Sequence, residues 1–235
     1  NPHLPPPSPS EAIHASERGM KFVVDGTHDG VVNMARDVEL RDQADQGEFG
    51  CRVYFWSGPW VTLGRFQSAP KDLIDPTAIE WIVRPTGGKA VLHGHDVTVG
   101  LAAPLAQIGC SSRELKRAYR ALILPLVSAL RECGVPCVLA EGTIHESKGI
   151  RTSDCFAFNS ANDVVDEITG IKVCGCALQL TETSVLLQAS IPYTQPLVDP
   201  SSVIREAAPG QSAEWDPQGF PEKLELALRY NLVHV

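Results

Sequence analysis

No stretch of the chain approaches the ~20 consecutive apolar residues that a membrane-crossing helix needs, and the N-terminal residues show no secretory h-region. Positive charge is also scarce, with 20 Lys and Arg against 28 Asp and Glu, a net charge of −8. Holding a phosphate backbone takes a concentrated basic footprint, so neither nucleic acid nor membrane is an expected partner. Cysteine is present at only 7 of 235 residues, an odd count and too sparse for a disulfide scaffold. Reduced thiols and a cytoplasmic location are the expectation. There is no internal repeat, no clear linker, and no G-x-x-x-x-G-K-[ST] phosphate loop.

What is present suits a folded chain: 43% hydrophobic and 20% charged residues are enough for a sizeable core. The run Asn-Pro-His-Leu-Pro-Pro-Pro-Ser-Pro-Ser opens a proline-rich segment expected to be a flexible arm over 1–19, followed by a single domain over 20–235. Alternation and turn residues predict strands at 21–25, 51–56, 60–64, 80–84, 90–93 and 96–101, with Ser57-Gly58-Pro59 turning between the second and third. A helix is predicted over 29–45. A second is expected from a cap at Ser111-Ser112-Arg113-Glu114 to Cys133-Gly134, with a kink at Pro125. Strands at 138–140, 163–165, 172–180 and 184–191 and a closing helix at 221–232 complete the pattern. Few long helices and neighbouring pairs of strands point to an α/β (α+β) fold with one mixed, largely antiparallel sheet.

Three segments carry candidate chemistry. In Arg84-Pro85-Thr86-Gly87-Gly88-Lys89-Ala90-Val91-Leu92-His93, adjacent glycines let backbone N–H groups approach a ligand, and Arg84 and Lys89 can add charge-assisted hydrogen bonds to a carbonyl or phosphate. A solvated hairpin turn is the plain alternative. Cys155 follows the polar run 149–154, and a free thiol there becomes reactive only if a helix N-terminus or a cation such as Arg151 or Lys172 lowers its pKa; a small buried hydrophobe is the plain alternative. Lys172 lies on a strand where two-residue alternation puts Cys174 and Cys176 on its side, and Gly175 and Ala177 opposite, open to close packing. A lysine in a partly desolvated pocket has a lowered pKa and can exchange protons near neutrality; an edge-strand lysine is the plain alternative. Neither Cys133, Cys137, Cys174 and Cys176 nor His93 with His95 has convincing metal-ligand spacing, so no metal is expected and His93 is assigned to hydrogen-bond the loop. Arg113, Lys116, Arg117 and Arg120 form the one basic cluster that could meet an acidic protein, or simply a solvated helix face.

On these residues the chain resembles the biotin/lipoate protein ligase and lipoyl (octanoyl) transferase superfamily. The Arg-x-x-Gly-Gly-x-Ala-Val-x-His loop at 84–93, Thr152-Ser153-Asp154-Cys155-Phe156 and the Lys-x-x-Gly-x-Ala strand at 172–177 carry it, supported by Asp29 to Ala35 and Gly64-Arg65-Phe66-Gln67. The likeness covers about 25–190. It departs at Lys89, where Gly or Arg is frequent, and at Gln188-Ala189-Ser190-Ile191, where Gln-His-Gly-Ser-Ile is common. The resemblance implies a class II synthetase-like or biotin/lipoate ligase-like catalytic domain. It implies that Cys155 is the nucleophile of a LipM-type octanoyltransferase and Lys172 the lysine at the acyl carbonyl, with Arg84, Thr86, Gly87, Gly88, Lys89, His93, Gly175 and Ala177 around the substrate. The implied donor is octanoyl-acyl carrier protein, and the implied acceptor a lysine of a lipoyl domain or glycine-cleavage H protein. The acyl tail is expected in a tunnel of Leu, Val and Ile side chains, and no cofactor is needed. Two alternatives stay open: a lipoate ligase using ATP and Mg through an acyl-adenylate, and a non-catalytic acyl or carrier binder.

Overall fold

Burial of the central strands on both faces decides how the chain layers itself. The computed structural model describes residues 19–147, 152–208 and 210–233; of the arm expected over 1–19 only Gly19 is among them, and Arg151 lies outside. In chain order the main elements are β1 (Lys21–His28), α1 (Gly30–Asp45), β2 (Gly50–Trp56), β3 (Trp60–Leu63), β4 (Glu80–Val83), β5 (Val91–His93) and β6 (Asp96–Pro104). There follow α2 (Leu115–Glu132), β7 (Cys137–Leu139), β8 (Val164–Asp166), β9 (Lys172–Leu180), β10 (Ser184–Pro192) and α3 (Phe220–Val233).

The class is the expected mixture of helices and mixed sheet, but the strands form two sheets rather than one. The larger runs β1-β2-β6-β10-β9-β8-β7, antiparallel throughout except for β1 with β2. The smaller runs β4-β3-β5, with β3 parallel to β4 and antiparallel to β5. Ser57-Gly58-Pro59 therefore does not close a hairpin. The two edges of β2 are taken by β1 and β6, so β3 has no free edge there and starts a second sheet.

On β6, Val97, Val99, Leu101 and Ala103 enter the main core with α2 and α3, while Ala102 meets Leu40 and Ala44 of α1 on the other face. Both faces of the sheet centre are covered, which explains why β6 and β10 are buried at every position. Helix α2 buries Leu122, Leu126 and Leu130 at four-residue spacing and continues unbroken through Pro125. Its start differs from the expected serine cap: Glu114 is the cap residue, and its carboxylate accepts from the backbone N and Oγ of Ser111, both at 2.9 Å. Three of the four residues of the basic cluster are answered from within the chain, Lys116 and Arg120 by Glu141 and Arg117 by Glu114. No helix among the described residues is long and apolar enough to cross a membrane.

Leu126 is fully enclosed, so Leu126→Ala should lower unfolding free energy by about 2–5 kcal/mol through lost burial and a residual cavity. Chemical denaturation measures this; a loss near zero would mean that α2 does not pack as described.

Candidate active site

The face of the large sheet turned toward α1 and the small sheet gathers the three candidate segments. On β9, Gly175 and Ala177 lie opposite Ser190 and Gln188 of β10. Between β8 and β9 the register shifts: Val164 faces Cys174 and Val165 faces Lys172, so Val173 is left without an opposite residue. This bulge breaks the two-residue alternation. Val173 and Cys174 both enter the core, and Lys172 turns to the side of Gly175 instead of sharing the side of Cys174 and Cys176 as the simple alternation predicts.

Cys155 opens a single turn of 3₁₀ helix, Cys155–Ala157, whose cap is the Asp154 carboxylate accepting from Phe156 N at 3.0 Å. The segment is stitched to the glycine loop by two backbone bonds of 2.8 Å, Ala90 N–H to Ser153 O and Cys155 N–H to Ala90 O. Gln67 Nε2 adds a third hold on the Ser153 carbonyl at 3.1 Å. Gly175 lets the segment approach closely: a Cβ there would stand 3.4 Å from Cys155 Sγ and 3.1 Å from the Phe156 ring.

The Lys172 amine donates to the Cys155 carbonyl and pairs with Asp163 Oδ2 at 2.8 Å, both side chains being almost wholly enclosed. The two candidates thus meet through the cysteine carbonyl rather than the sulfur. Burial pulls the Lys172 pKa down, but the Cys155 sulfur and the Asp163 carboxylate outweigh it and hold the amine above the ordinary lysine value. This overturns the lowered amine expected from sequence, since a buried ammonium with a carboxylate partner keeps its proton. Burial pushes the Cys155 thiol up; Lys172 and Arg84 pull it back, while Asp163 and Asp154 add to the rise.

Arg84 does not present its charge to a ligand. Nε donates to Thr86 Oγ1 at 3.1 Å, Nη1 to the Thr62 carbonyl and hydroxyl at 3.0 and 3.2 Å, and Nη2 to the Gly87 and Lys89 carbonyls at 2.7 Å each. All five guanidinium protons therefore have acceptors. The Thr86 hydroxyl is likewise committed, donating to Gln188 Oε1 at 2.7 Å. Gly88 takes a left-handed φ of 85°, which favours glycine. Lys89 lays its amine over the Phe158 ring, 4.4 Å from the centroid. His93 does not bond the loop as expected: its Nδ1 pairs with Asp96 at 2.8 Å, its Nε2 meets Thr62 Oγ1 at 2.9 Å, and its ring stacks on Trp56. Both ring nitrogens are engaged, and among the described residues no group of three His, Cys, Asp or Glu side chains could hold a metal. All seven cysteines are free.

Two cavities flank the Cys155–Lys172 pair. The first is lined by Cys155, Gly175, Ala177, Arg84 and His93 on one side and by Met34, Tyr54 and Trp56 on another. It holds about 20 Å³, room for about one water. Its apolar wall is aromatic and thioether, with Val91 as the only Leu, Val or Ile, so the expected aliphatic tunnel is not what lines it, and Met34 is its flexible member. The second, of about 300 Å³, lies on the Lys172 side against Asp154, Phe156, Phe158 and Asn159. Asp163, Gln67, Thr62 and Gln188 were missed as site residues by sequence reading. Gln67 and Gln188 fell inside segments quoted for the resemblance but were given no role, and Asp163 could have been sought as the carboxylate that a buried lysine needs.

The Cys155 thiol should titrate above the ~8.5 of a free cysteine. Asp163→Asn should lower that midpoint by removing a repelling carboxylate, and Lys172→Met should raise it. The pH dependence of iodoacetamide alkylation, followed on the Cys155 peptide by mass, reads this order; the opposite order would discard the electrostatic assignment.

The sequence model of the lipoyl protein ligase A/B catalytic domain matches residues 29–224. The octanoyltransferase LipM of Halalkalibacterium halodurans is 28% identical over 178 residues, covering 72% of this chain and 63% of that protein. That of Carboxydothermus hydrogenoformans is 31% identical over 178 residues, covering 72% and 62%. The chain thus spans under two thirds of the length of these curated relatives. Among solved structures, a bipartite lipoate protein ligase of Thermoplasma acidophilum, described with its E2 lipoyl domain, superposes with a TM-score of 0.63 at 17% identity, covering 91% of this chain and 83% of that one. A lipoate-protein ligase A bound with ATP gives 0.62 at 16% identity, covering 91% and 85%. At these identities the structures speak for the fold alone.

Proposed function

The chain belongs to the lipoyl protein ligase A/B catalytic domain family, and from that premise we propose that it is an acyltransferase acting through Cys155. The observation that carries the reading is the placement of the Cys155 sulfur at a cavity wall made by Gly175, with the Lys172 amine on the same residue's carbonyl. In the first step the sulfur attacks the carbonyl of an octanoyl or lipoyl thioester on a carrier protein. The new C–S bond replaces the old one, and the thiol proton ends on the departing thiol. In the second, the amine of an acceptor lysine displaces Cys155 to give an amide. Thioester to thioester is nearly isoenergetic and thioester to amide runs downhill, so no ATP is required.

Lys172, held protonated by Asp163, serves as a fixed cation that favours the thiolate and the charge developing on the carbonyl oxygen. It is not the base that a lowered pKa would make. The acyl tail enters between Met34, Tyr54 and Trp56, where each buried methylene contributes about 0.8 kcal/mol. Met34 must move for it to enter, given the narrow space. A lipoyl domain is the favoured class of acceptor, because the curated relatives are octanoyltransferases and the T. acidophilum ligase is described with such a domain.

The cavity of about 300 Å³ on the Lys172 side favours a second reading, an ATP-dependent ligase holding an acyl-adenylate there. One experiment separates them. Incubated with an octanoyl thioester, the wild type should gain the mass of one octanoyl group on Cys155, and Cys155→Ala should gain none and lose transfer by at least about 10³-fold, the scale of losing a nucleophile. Transfer from free acid that needs ATP and survives Cys155→Ala would replace the transferase by the ligase.

A further inference from the structure

The glycine loop is gripped by a buried cation that has no carboxylate of its own. Among the described residues every acceptor of Arg84 is a carbonyl or a hydroxyl. An anion does lie further along the same hydrogen-bond path. Thr86 Oγ1, which receives Arg84 Nε–H, donates to Gln188 Oε1 at 2.7 Å, and Gln188 Nε2 donates to Asp37 Oδ2 at 2.6 Å. Asp37, on α1, is wholly enclosed and also receives Tyr54 OH at 2.7 Å and the Arg52 guanidinium. Gly100 on β6 makes room for it, since a Cβ there would stand 2.4 Å from Asp37 Oδ1.

The path is directional. A carboxylate accepts only, so the Gln188 amide must point its NH₂ at Asp37 and its oxygen at Thr86. The Thr86 hydroxyl then has its proton committed to Gln188 and its lone pair to Arg84. At the other end, Arg84 Nη2 holds the Lys89 carbonyl. In a trans peptide the following N–H points the opposite way, and that N–H, of Ala90, holds the Ser153 carbonyl. The carbonyl of Ala90 in turn receives Cys155 N–H. A chain of hydrogen bonds and one peptide plane therefore runs from α1 to the Ser153 carbonyl, two residues before the candidate nucleophile, and the next peptide plane, joined at the Ala90 Cα, holds Cys155 N–H.

We propose that Gln188 is a positioning residue that relays the buried Asp37 carboxylate, through Thr86 and Arg84, to the loop that fixes Cys155. As a statement about Cys155 reactivity this stands on the geometry alone; as a statement about acyl transfer it rests on the function proposed above. The relay sets the orientation of the peptides around Gly87, Gly88 and Lys89 before any substrate arrives, so the loop pays no reorganisation cost at the moment of reaction.

The test uses the full chain and iodoacetamide as the probe, with Cys155 labelling followed by peptide mass and folding checked by thermal melting. Gln188→Met keeps the side-chain volume and removes both ends of the relay; it should slow Cys155 alkylation about tenfold, the scale of one lost buried hydrogen bond. Gln188→Glu should do the same by setting a second carboxylate against Asp37. The double variant Asp37→Asn/Gln188→Glu exchanges donor and acceptor along the path and should recover most of the rate. Gln188 borders the acyl cavity and Thr86 does not, so the Thr86 pair separates positioning from direct contact: Thr86→Val should lower kcat with an acyl thioester while leaving KM nearly unchanged, and Thr86→Ser should behave as wild type. Should Gln188→Met fail to fold, the Thr86 pair decides. Equal alkylation rates for Thr86→Val and Thr86→Ser, or no recovery in the double variant, would overturn the relay. If the wild type accepts no acyl group from thioesters, the transferase reading fails while the alkylation comparison still judges the relay.

Discussion

A guanidinium sealed inside a loop is the constraint on which the rest of this site depends. Arg84 is almost fully buried, and burial pulls its pKa down to about 10 against the favourable fields of Cys155 and Tyr54. It therefore remains a cation at neutral pH, and a buried cation must have every donor answered. The loop supplies those acceptors by turning the Gly87 and Lys89 carbonyls inward. Turning them inward requires the left-handed φ of Gly88 and the absence of a side chain at Gly64, where a Cβ would come within 2.0 Å of the Gly88 oxygen. A glycine-rich loop is usually read as a place for ligand. Here its glycines first allow the backbone to close around its own arginine.

The same economy of charge governs the cysteine and the lysine. Lys172 is enclosed and Cys155 half-buried: the thiol is raised by burial and the amine is held protonated by Asp163. A buried ion pair contributes little net stability, since desolvation opposes the attraction, whereas removing one partner costs several kcal/mol. Lys172 and Asp163 are accordingly better understood as a fixed dipole beside the Cys155 segment than as a stabilising bridge. Its direction favours negative charge on the sulfur side.

Much of the fold was legible from sequence because it rests on local rules. The helix at 29–45 follows from its apolar spacing and from Asp29, whose carboxylate caps Val32 N at 2.8 Å. Strands β6, β9 and β10 follow from their alternation and flanking turns. The division into two sheets was not legible, because it depends on which edges of β2 are already occupied. The start of α2 was displaced because the Ser111 hydroxyl donates to the Glu114 carboxylate instead of capping a backbone N–H. In the candidate site, Cys155, Lys172 and the 84–93 loop were singled out by residue type and by the family resemblance, and the structure brings them together. The inward use of Arg84 and Thr86 was not, since a guanidinium reads the same in sequence whether it grips a ligand or its own loop.

By itself, then, the sequence determined the kinds of groups available and the elements that carry them, because residue chemistry and short-range periodicity are local properties. Only the tertiary structure decided which way those groups face and what they cost to ionise. A one-residue bulge at Val173 moved Lys172 to the other side of its strand. Asp163, unremarkable in the chain, set that lysine's proton in place by arriving 2.8 Å away. Facing and ionisation depend on burial and on partners brought from distant positions, and no local pattern records either.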